Sequence, residues 1–160
     1  MKENGFGHEA FNFEPIRNEY FGYFQAKGAG VNLPRLGANP GERQLDGVTV
    51  AWVATNPTHR GMFVVGWYRN ATVFAEYQPS PKTKSRRLPD GDSARFLIRA
   101  RDAELLDRHN RTLEIPRATA TTRGIGQANV WYPDRDEASS ILKHIEAGGR
   151  RVSRVRRHVN

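Results

Sequence analysis

The stretch from 48 to 77 has the sequence VTVAWVATNPTHRGMFVVGWYRNATVFAEY. Its segments 48–54 and 62–68 are rich in β-branched and aromatic residues. These residues would lie on both faces of a strand, which predicts two strands in the middle of a sheet or barrel. The pair Arg69-Asn70 separates 62–68 from the apolar segment 72–77, and asparagine at a turn tolerates positive φ. We therefore expect either a hairpin here or a bulged, sharply bent strand.

Shorter elements are predicted on both sides of this stretch. Alternating side chains indicate a strand at 20–26, whereas the glycine, proline and asparagine content of 28–42 favours a loop. Downstream, segments 95–100 and 112–115 are typical of short strands, and 102–106 of a helical turn. The core is therefore expected to be built mainly of strands.

A final helix is predicted to begin near Asp134 and to stop at Gly148, because apolar residues recur at helical spacing between them. The whole pattern indicates a strand-rich α+β fold with a few short helices and this C-terminal helix. A chain of 160 residues has room for one domain of ordinary size. We expect that domain at 1–148, followed by a basic tail or linker at 149–160.

Composition limits the classes of protein to consider. Hydrophobic residues make up 38% of the chain, which is enough for a folded core. Cysteine is absent, so disulfides and thiolate zinc sites are excluded. The sequence has no signal-peptide core and no apolar run of membrane-spanning length, so we expect a cytoplasmic location and no membrane partner.

The charge balance predicts a polyanionic partner. Lysine and arginine number 25 against 17 acidic residues, for a net charge of +8. The excess is clustered in a loop bounded by proline and in the tail, which favours phosphate contacts over mere solubility, the alternative explanation. The residues predicted to contact phosphate are Lys82, Lys84, Arg86 and Arg87 in that loop, together with Arg69 and Arg123.

Two segments combine amides with aromatic residues and are candidates for base recognition. In 123–132, two glycines precede Gln127 and Asn129, whose amides could contact a base edge, and Trp131 and Tyr132 could stack on its face. The alternative is that the amides satisfy backbone groups in a turn while Trp131 fills the core. At 67–70, Trp67 and Tyr68 should lie on opposite faces of a strand, so one is expected to line a ligand pocket beside Asn70.

No catalytic centre is predicted from the residues. The five histidines are scattered without metal-ligand spacing, and acidic residues stand at element boundaries, where capping and turn formation explain them. A serine-centred nucleophile elbow is also absent. We therefore expect a binding domain with no catalytic residues, no metal and no cofactor.

The order of seven motifs resembles a known family. They are FNFEP at 11–15, YFGYFQ at 20–25, VNLPRLGA at 31–38, LDGVTVAWVA at 45–54, VVGWYRNATVF at 64–74, LEIPRA at 113–118 and GIGQANVWYP at 124–133. Together they are similar to the N-terminal reader domain of type IV, modification-dependent HNH restriction endonucleases. That domain is related to the EVE, YTH and SRA group of the PUA-like superfamily.

The resemblance implies a twisted PUA-like β-barrel that accommodates a modified base extruded from double-stranded DNA. Methylated or hydroxymethylated cytosine is the expected base. No HNH motif occurs in this sequence, so the nuclease domain of the family is expected as a C-terminal partner in a longer chain. A PUA-like RNA-binding module, an enzyme with an unrecognised site and a protein-interaction domain are the alternatives. The residues expected to hold the base are Trp67, Tyr68, Asn70, Gln127, Asn129, Trp131 and Tyr132, with Phe24, Gln25 and Asn32 as further candidates.

Overall fold

The computed structural model describes residues 11–26, 30–58, 60–81, 94–117 and 129–148. These residues form a strand-rich α+β structure, as the sequence predicts. The strands are β1 (Tyr20–Gly22), β2 (Gln44–Thr55), β3 (Met62–Pro79), β4 (Arg95–Ala100), β5 (Asp102–Leu105) and β6 (Glu114–Ile115), and the α-helix is α1 (Arg135–Glu146). Short 3₁₀ helices occur at Leu33–Leu36 and Arg108–Asn110. The predicted basic loop and tail lie outside the described residues.

Strand β3 is the centre of the sheet. The strand order is β1-β4-β3-β2, and both β5 and β6 also pair with β3. The pairings of β4 with β1 and with β3, and of β6 with β3, are antiparallel. A middle position is thus confirmed for β3, whereas β2 ends the order of the strands that the structure describes. Strand β2 contains no fully buried residue, so its apolar side chains cover the sheet only in part.

The predicted hairpin at Arg69-Asn70 is wrong, because β3 continues without interruption through this point. Asn70 has a φ of 48°, so it takes the left-handed conformation inside the strand. The pairing partner changes across it, from β6 at Met62 and Phe63 to β4 from Thr72 onward. A bent continuous strand is therefore the correct alternative of the two that the sequence left open.

A large bulge interrupts the pairing of β3 with β4. Val73 is opposite Ile98 and Gln78 is opposite Phe96, so four residues of β3 face a single residue of β4. Ala75 lies in the middle of the bulged segment 74–77. Its amide donates to the Arg43 carbonyl at 2.9 Å, and its carbonyl accepts the Val31 amide at 3.2 Å. The bulged backbone is thus paired with other segments instead of with β4.

The chain divides into two compact units. The first contains the described residues within 11–49, 68–103 and 129–130, and its buried side chains include Phe21, Leu33, Tyr68 and Leu97. The second contains those within 50–67, 104–117 and 131–148. Its core cluster is Val64, Trp67, Leu106, Ile115 and Ile145.

Helix α1 is confirmed, together with the end signals that predicted it. The Asp134 carboxylate accepts the Glu137 amide at 2.9 Å, and the Glu137 carboxylate accepts the Asp134 amide at 3.1 Å, which forms a capping box. Gly148, which follows the C-cap residue Ala147, has a φ of 63°. Ile145 is buried in the core of the second unit and Ile141 packs against that core, whereas Leu142 of the predicted apolar face is 41% exposed. None of the described helices is long or apolar enough to cross a membrane.

The predicted helical turn at 102–106 is wrong, since these residues form β5 and the amide of Leu106 donates to the Val65 carbonyl at 2.8 Å. So short a helix gains too few hydrogen bonds to offset its nucleation, whereas a strand can pair with β3. The predicted strands at 20–26 and 112–115 exist as the shorter β1 and β6. The strand at 95–100 is confirmed in full.

Gly30 should be intolerant of a side chain. Its φ is 142°, and a Cβ atom there would overlap the Ala75 carbonyl. We expect Gly30→Ala to lower the free energy of unfolding by about 2 kcal/mol or more, because the loop must leave the bulge. Urea denaturation measures this as a lower midpoint.

Gly37→Ala is the matched control. Gly37 also has a positive φ, 101°, but a Cβ there meets nothing within 4 Å. Gly37→Ala should lower the free energy of unfolding by only about 1 kcal/mol, which is the cost of a side chain at positive φ. Equal losses in the two variants would show that the approach of Gly30 to Ala75 has no structural role.

Candidate nucleic-acid interface

A small surface pocket lies within the first unit. Its volume is about 220 Å³, and it is lined by Tyr23, Gln25, Ala26, Tyr77 and Arg95. These residues come from the segment after β1, the end of the β3 bulge and the first position of β4. The lining therefore combines two aromatic rings, one amide and one permanent cation.

The rings of Tyr23 and Tyr77 are stacked, with centroids 5.5 Å apart and an interplanar angle of 30°. The Arg95 guanidinium carbon lies 5.8 Å from the centroid of the Tyr77 ring, within the range of a cation–π contact. Both rings are half-buried, whereas Arg95 is exposed. A stacked aromatic pair with a guanidinium beside it is suited to binding a planar, electron-rich group and a nearby anion.

Tyr77 also fixes the backbone that forms the pocket wall. Its hydroxyl donates to the Phe24 carbonyl at 3.1 Å and accepts the Ala26 amide at 3.0 Å. Gln25 lies between these two anchored residues. The wall and the aromatic ring are therefore held in one arrangement before any ligand arrives.

Tyr23 is held by a second set of hydrogen bonds. The buried Asn12 side chain donates to the Tyr23 carbonyl at 2.9 Å and accepts the Tyr23 amide at 2.7 Å. The Asn12 carbonyl accepts the hydroxyl of Tyr68. The rings of Phe13 and Tyr20 pack on Tyr68 with centroid distances of 5.7 Å and 6.0 Å. A buried chain of contacts thus runs from Tyr68 through Asn12 to the pocket.

Trp67 and Tyr68 are both 0% exposed, and neither lines this pocket. Trp67 packs in the core of the second unit, where the ring of His144 meets it edge-on at 6.0 Å. Tyr68 packs in the first unit and positions Asn12. This differs from the expectation that one of the two rings lines a ligand pocket, because each ring is enclosed by the core of its own unit.

Three of the predicted base-binding residues come together at the pocket. Gln25 lines it, and Phe24 supplies the carbonyl that Tyr77 contacts. The Asn129 side-chain amide donates to the Gln25 carbonyl at 2.7 Å. Asn129 therefore contacts a backbone group, as the alternative explanation of the amides proposed, and that contact is at the pocket wall.

The other candidates lie elsewhere. Asn70 is the exposed left-handed residue of β3, and Asn32 precedes the 3₁₀ helix at Leu33–Leu36. Trp131 packs against the core of the second unit, and Tyr132 is half-buried in the same unit. Gln127, Lys82, Lys84, Arg86, Arg87 and Arg123 lie outside the described residues.

Arg69, predicted to contact phosphate, lies 3.6 Å from the Asp102 carboxylate, with 35% of its side chain exposed. The sequence analysis did not identify Asn12, Tyr23, Tyr77 or Arg95 as site residues. Tyr23 and Gln25 lie on the same face of the predicted strand 20–26, and this pattern could have identified Tyr23. Tyr77 and Arg95 depend on the bulge, which the sequence does not show.

Comparisons of the chain with protein-family models, with curated proteins and with solved structures gave no match. Across the part of the chain that the structure describes, no three histidine or acidic residues are grouped so that they could hold a metal ion.

The Asn12 contacts should be important for stability. We expect Asn12→Ala to lower the free energy of unfolding by about 2–3 kcal/mol, because it leaves the amide and the carbonyl of Tyr23 without their partners. Tyr68→Phe should cost about 1–2 kcal/mol, since it removes one hydroxyl and keeps the packed ring. Chemical denaturation of the two variants and of the double variant measures both losses and their coupling.

Asn39→Ala is the control for the loss of an asparagine. Asn39 is exposed, and its side-chain amide donates to the Glu42 carboxylate at 3.4 Å. Asn39→Ala should change the free energy of unfolding by no more than about 0.5 kcal/mol. Strictly additive effects of Asn12→Ala and Tyr68→Phe would contradict a continuous chain of contacts through Asn12.

Proposed function

We propose that this chain is a nucleic-acid-binding module that recognises a modified base in double-stranded DNA. The pocket around Tyr23, Gln25, Tyr77 and Arg95 is the proposed receptor for the base. The observation that carries the proposal is the stacked tyrosine pair, with an arginine and an amide beside it, on a chain of net charge +8. The motif resemblance supports the same function independently of the pocket.

Contacts in the pocket can offset the free energy needed to extrude a base. Extrusion of a base from the duplex costs a few kcal/mol. Stacking on an aromatic side chain returns about 1–3 kcal/mol per base, and the Gln25 amide offers both a donor and an acceptor to the base edge. Because the walls are already fixed by Tyr77 and Asn12, little further ordering is needed on binding.

The pocket volume favours one small planar group. About 220 Å³ is below the range of roughly 300–1,000 Å³ found for sites of drug-sized ligands. A methylated or hydroxymethylated cytosine is the base that we propose, on the basis of the motif resemblance.

The proposed setting is a modification-dependent restriction system, with a PUA-like domain that recognises the base. In this proposal the chain itself has no catalytic residue and requires no metal or cofactor. Cleavage would belong to a nuclease domain in a longer chain. The +8 charge would supply the salt-dependent attraction to DNA that precedes base recognition.

Fluorescence-anisotropy titration tests the proposal. The probes are matched duplexes that carry cytosine, 5-methylcytosine, 5-hydroxymethylcytosine or N6-methyladenine, and an RNA of the same sequence, each at two salt concentrations. We expect one modified cytosine to be bound at least tenfold more tightly than cytosine. Tyr23→Ala should abolish that preference, because the lost stacking corresponds to about one order of magnitude in affinity.

Tyr132→Ala, an aromatic truncation in the second unit, is the control and should keep the preference. Thermal melting verifies that both variants are folded. Equal and steeply salt-dependent binding to all four duplexes would refute base recognition. A preference that persists in Tyr23→Ala and disappears in Tyr132→Ala would show that the base binds to the second unit. Tighter binding of the RNA than of the duplexes would favour the RNA-binding alternative.

A further inference from the structure

We infer that Arg95 and Arg99 of β4 form a phosphate-binding pair that holds a nucleic-acid backbone beside the pocket. The inference rests on the proposed function in one respect, which is that the partner is a nucleic acid. It adds the residues that contact the phosphates, and these differ from the loop and strand residues that the sequence predicted for this role.

Each of the two guanidinium groups lies over an aromatic ring. The Arg95 guanidinium carbon is 5.8 Å from the Tyr77 centroid, and that of Arg99 is 5.6 Å from the Phe74 centroid. Stacking engages the face of a guanidinium, whereas phosphate binds to the N–H groups at its edge. A ring below each arginine therefore restricts its conformations without blocking the donors that a phosphate needs.

The spacing of the pair fits a backbone partner. Arg95 and Arg99 have the same parity in one regular strand, so they point to the same side of the sheet. Four residues of strand span about 13 Å at 3.3 Å per residue. B-DNA has one phosphate per 3.4 Å of axis on each strand, so this distance covers several phosphates of a single backbone.

The β3 bulge explains why both arginines have an aromatic support. Phe74 and Tyr77 are the first and last of the four bulged residues that face a single residue of β4. Regular pairing would have placed them opposite other positions of β4. One local irregularity thus creates two arginine–aromatic pairs, and one of these pairs also lines the pocket.

Two other arginines of the first unit have a carboxylate nearby. Arg69 lies 3.6 Å from Asp102, and Arg101 donates to Glu19 at 3.2 Å. A carboxylate at that distance offsets the charge that a phosphate would meet and competes for the same donors. For Arg95 and Arg99, the rings of Tyr77 and Phe74 supply contacts that carry no charge of their own.

Salt-dependent binding to an unmodified duplex tests the pair, because such a probe reports backbone contacts and not base recognition. The variants are Arg95→Gln, Arg99→Gln and the double variant. We expect the slope of log K against log salt concentration to decrease in magnitude by about 0.9 for each single variant and by about 1.8 for the double variant. Arg108→Gln removes the same charge from an exposed site in the second unit and should leave the slope nearly unchanged.

Two further variants test the role of the rings at constant charge. Phe74→Leu removes the support of Arg99, and Arg99→Lys replaces the planar group with a compact ammonium. Each should weaken duplex binding about two- to fivefold with little change in the slope. Thermal melting of each variant separates a loss of folded protein from a loss of affinity.

The outcomes separate this inference from the function on which it rests. If the wild-type chain binds duplex and the slopes of Arg95→Gln and Arg99→Gln equal that of Arg108→Gln, the arginine pair is excluded while DNA binding stands. If the wild-type chain binds no nucleic acid, the proposed function fails and the inference fails with it. Binding only to vesicles with anionic lipid, reduced in the same two variants, would assign the arginines to a membrane surface and overturn the inference.

Discussion

The first unit depends on one constraint, which is that the Ala75 peptide in β3 does not pair with β4. Four residues occupy the space that one residue would fill in a regular ladder, so the amide and carbonyl of Ala75 need partners elsewhere. Arg43 and Val31 supply them, and Gly30 permits the approach because it has no Cβ. The cost of the irregularity is therefore met by backbone hydrogen bonds. Its consequence is the placement of Phe74 and Tyr77 beside the arginines of β4.

Elements whose signals are local were predicted well. The residues of β4 match the predicted strand 95–100, and α1 begins after Asp134 because the capping box lies within four residues of sequence. The bulge was not predicted, since it depends on which strand pairs with β3 and in which register. Asn70 is an intermediate case. Its tolerance of positive φ was recognised, but only the continuous pairing of β3 shows that the chain does not turn back there.

The site was predicted in part, for a related reason. Composition identifies aromatic and amide residues, but it does not distinguish a ring that fills a core from one that is open to a ligand. Trp67 and Tyr68 are core residues, whereas Tyr23 and Tyr77 form the stacked pair. Gln25 and Asn129 are brought together by a hydrogen bond between segments more than 100 positions apart. No pattern within either segment predicts that contact.

Arg95 has two roles in the proposed mechanism, because it lines the pocket and also belongs to the proposed phosphate-binding pair. The proposal therefore links backbone binding to base recognition through the Tyr77 ring, which touches the Arg95 guanidinium and stacks on Tyr23. A phosphate held by Arg95 would bring the adjacent nucleotide next to the stacked pair, so that extrusion begins from a backbone already fixed. Arg99 lacks that link. Its contribution is expected to be the same for every base, whereas that of Arg95 is expected to depend on which base is extruded.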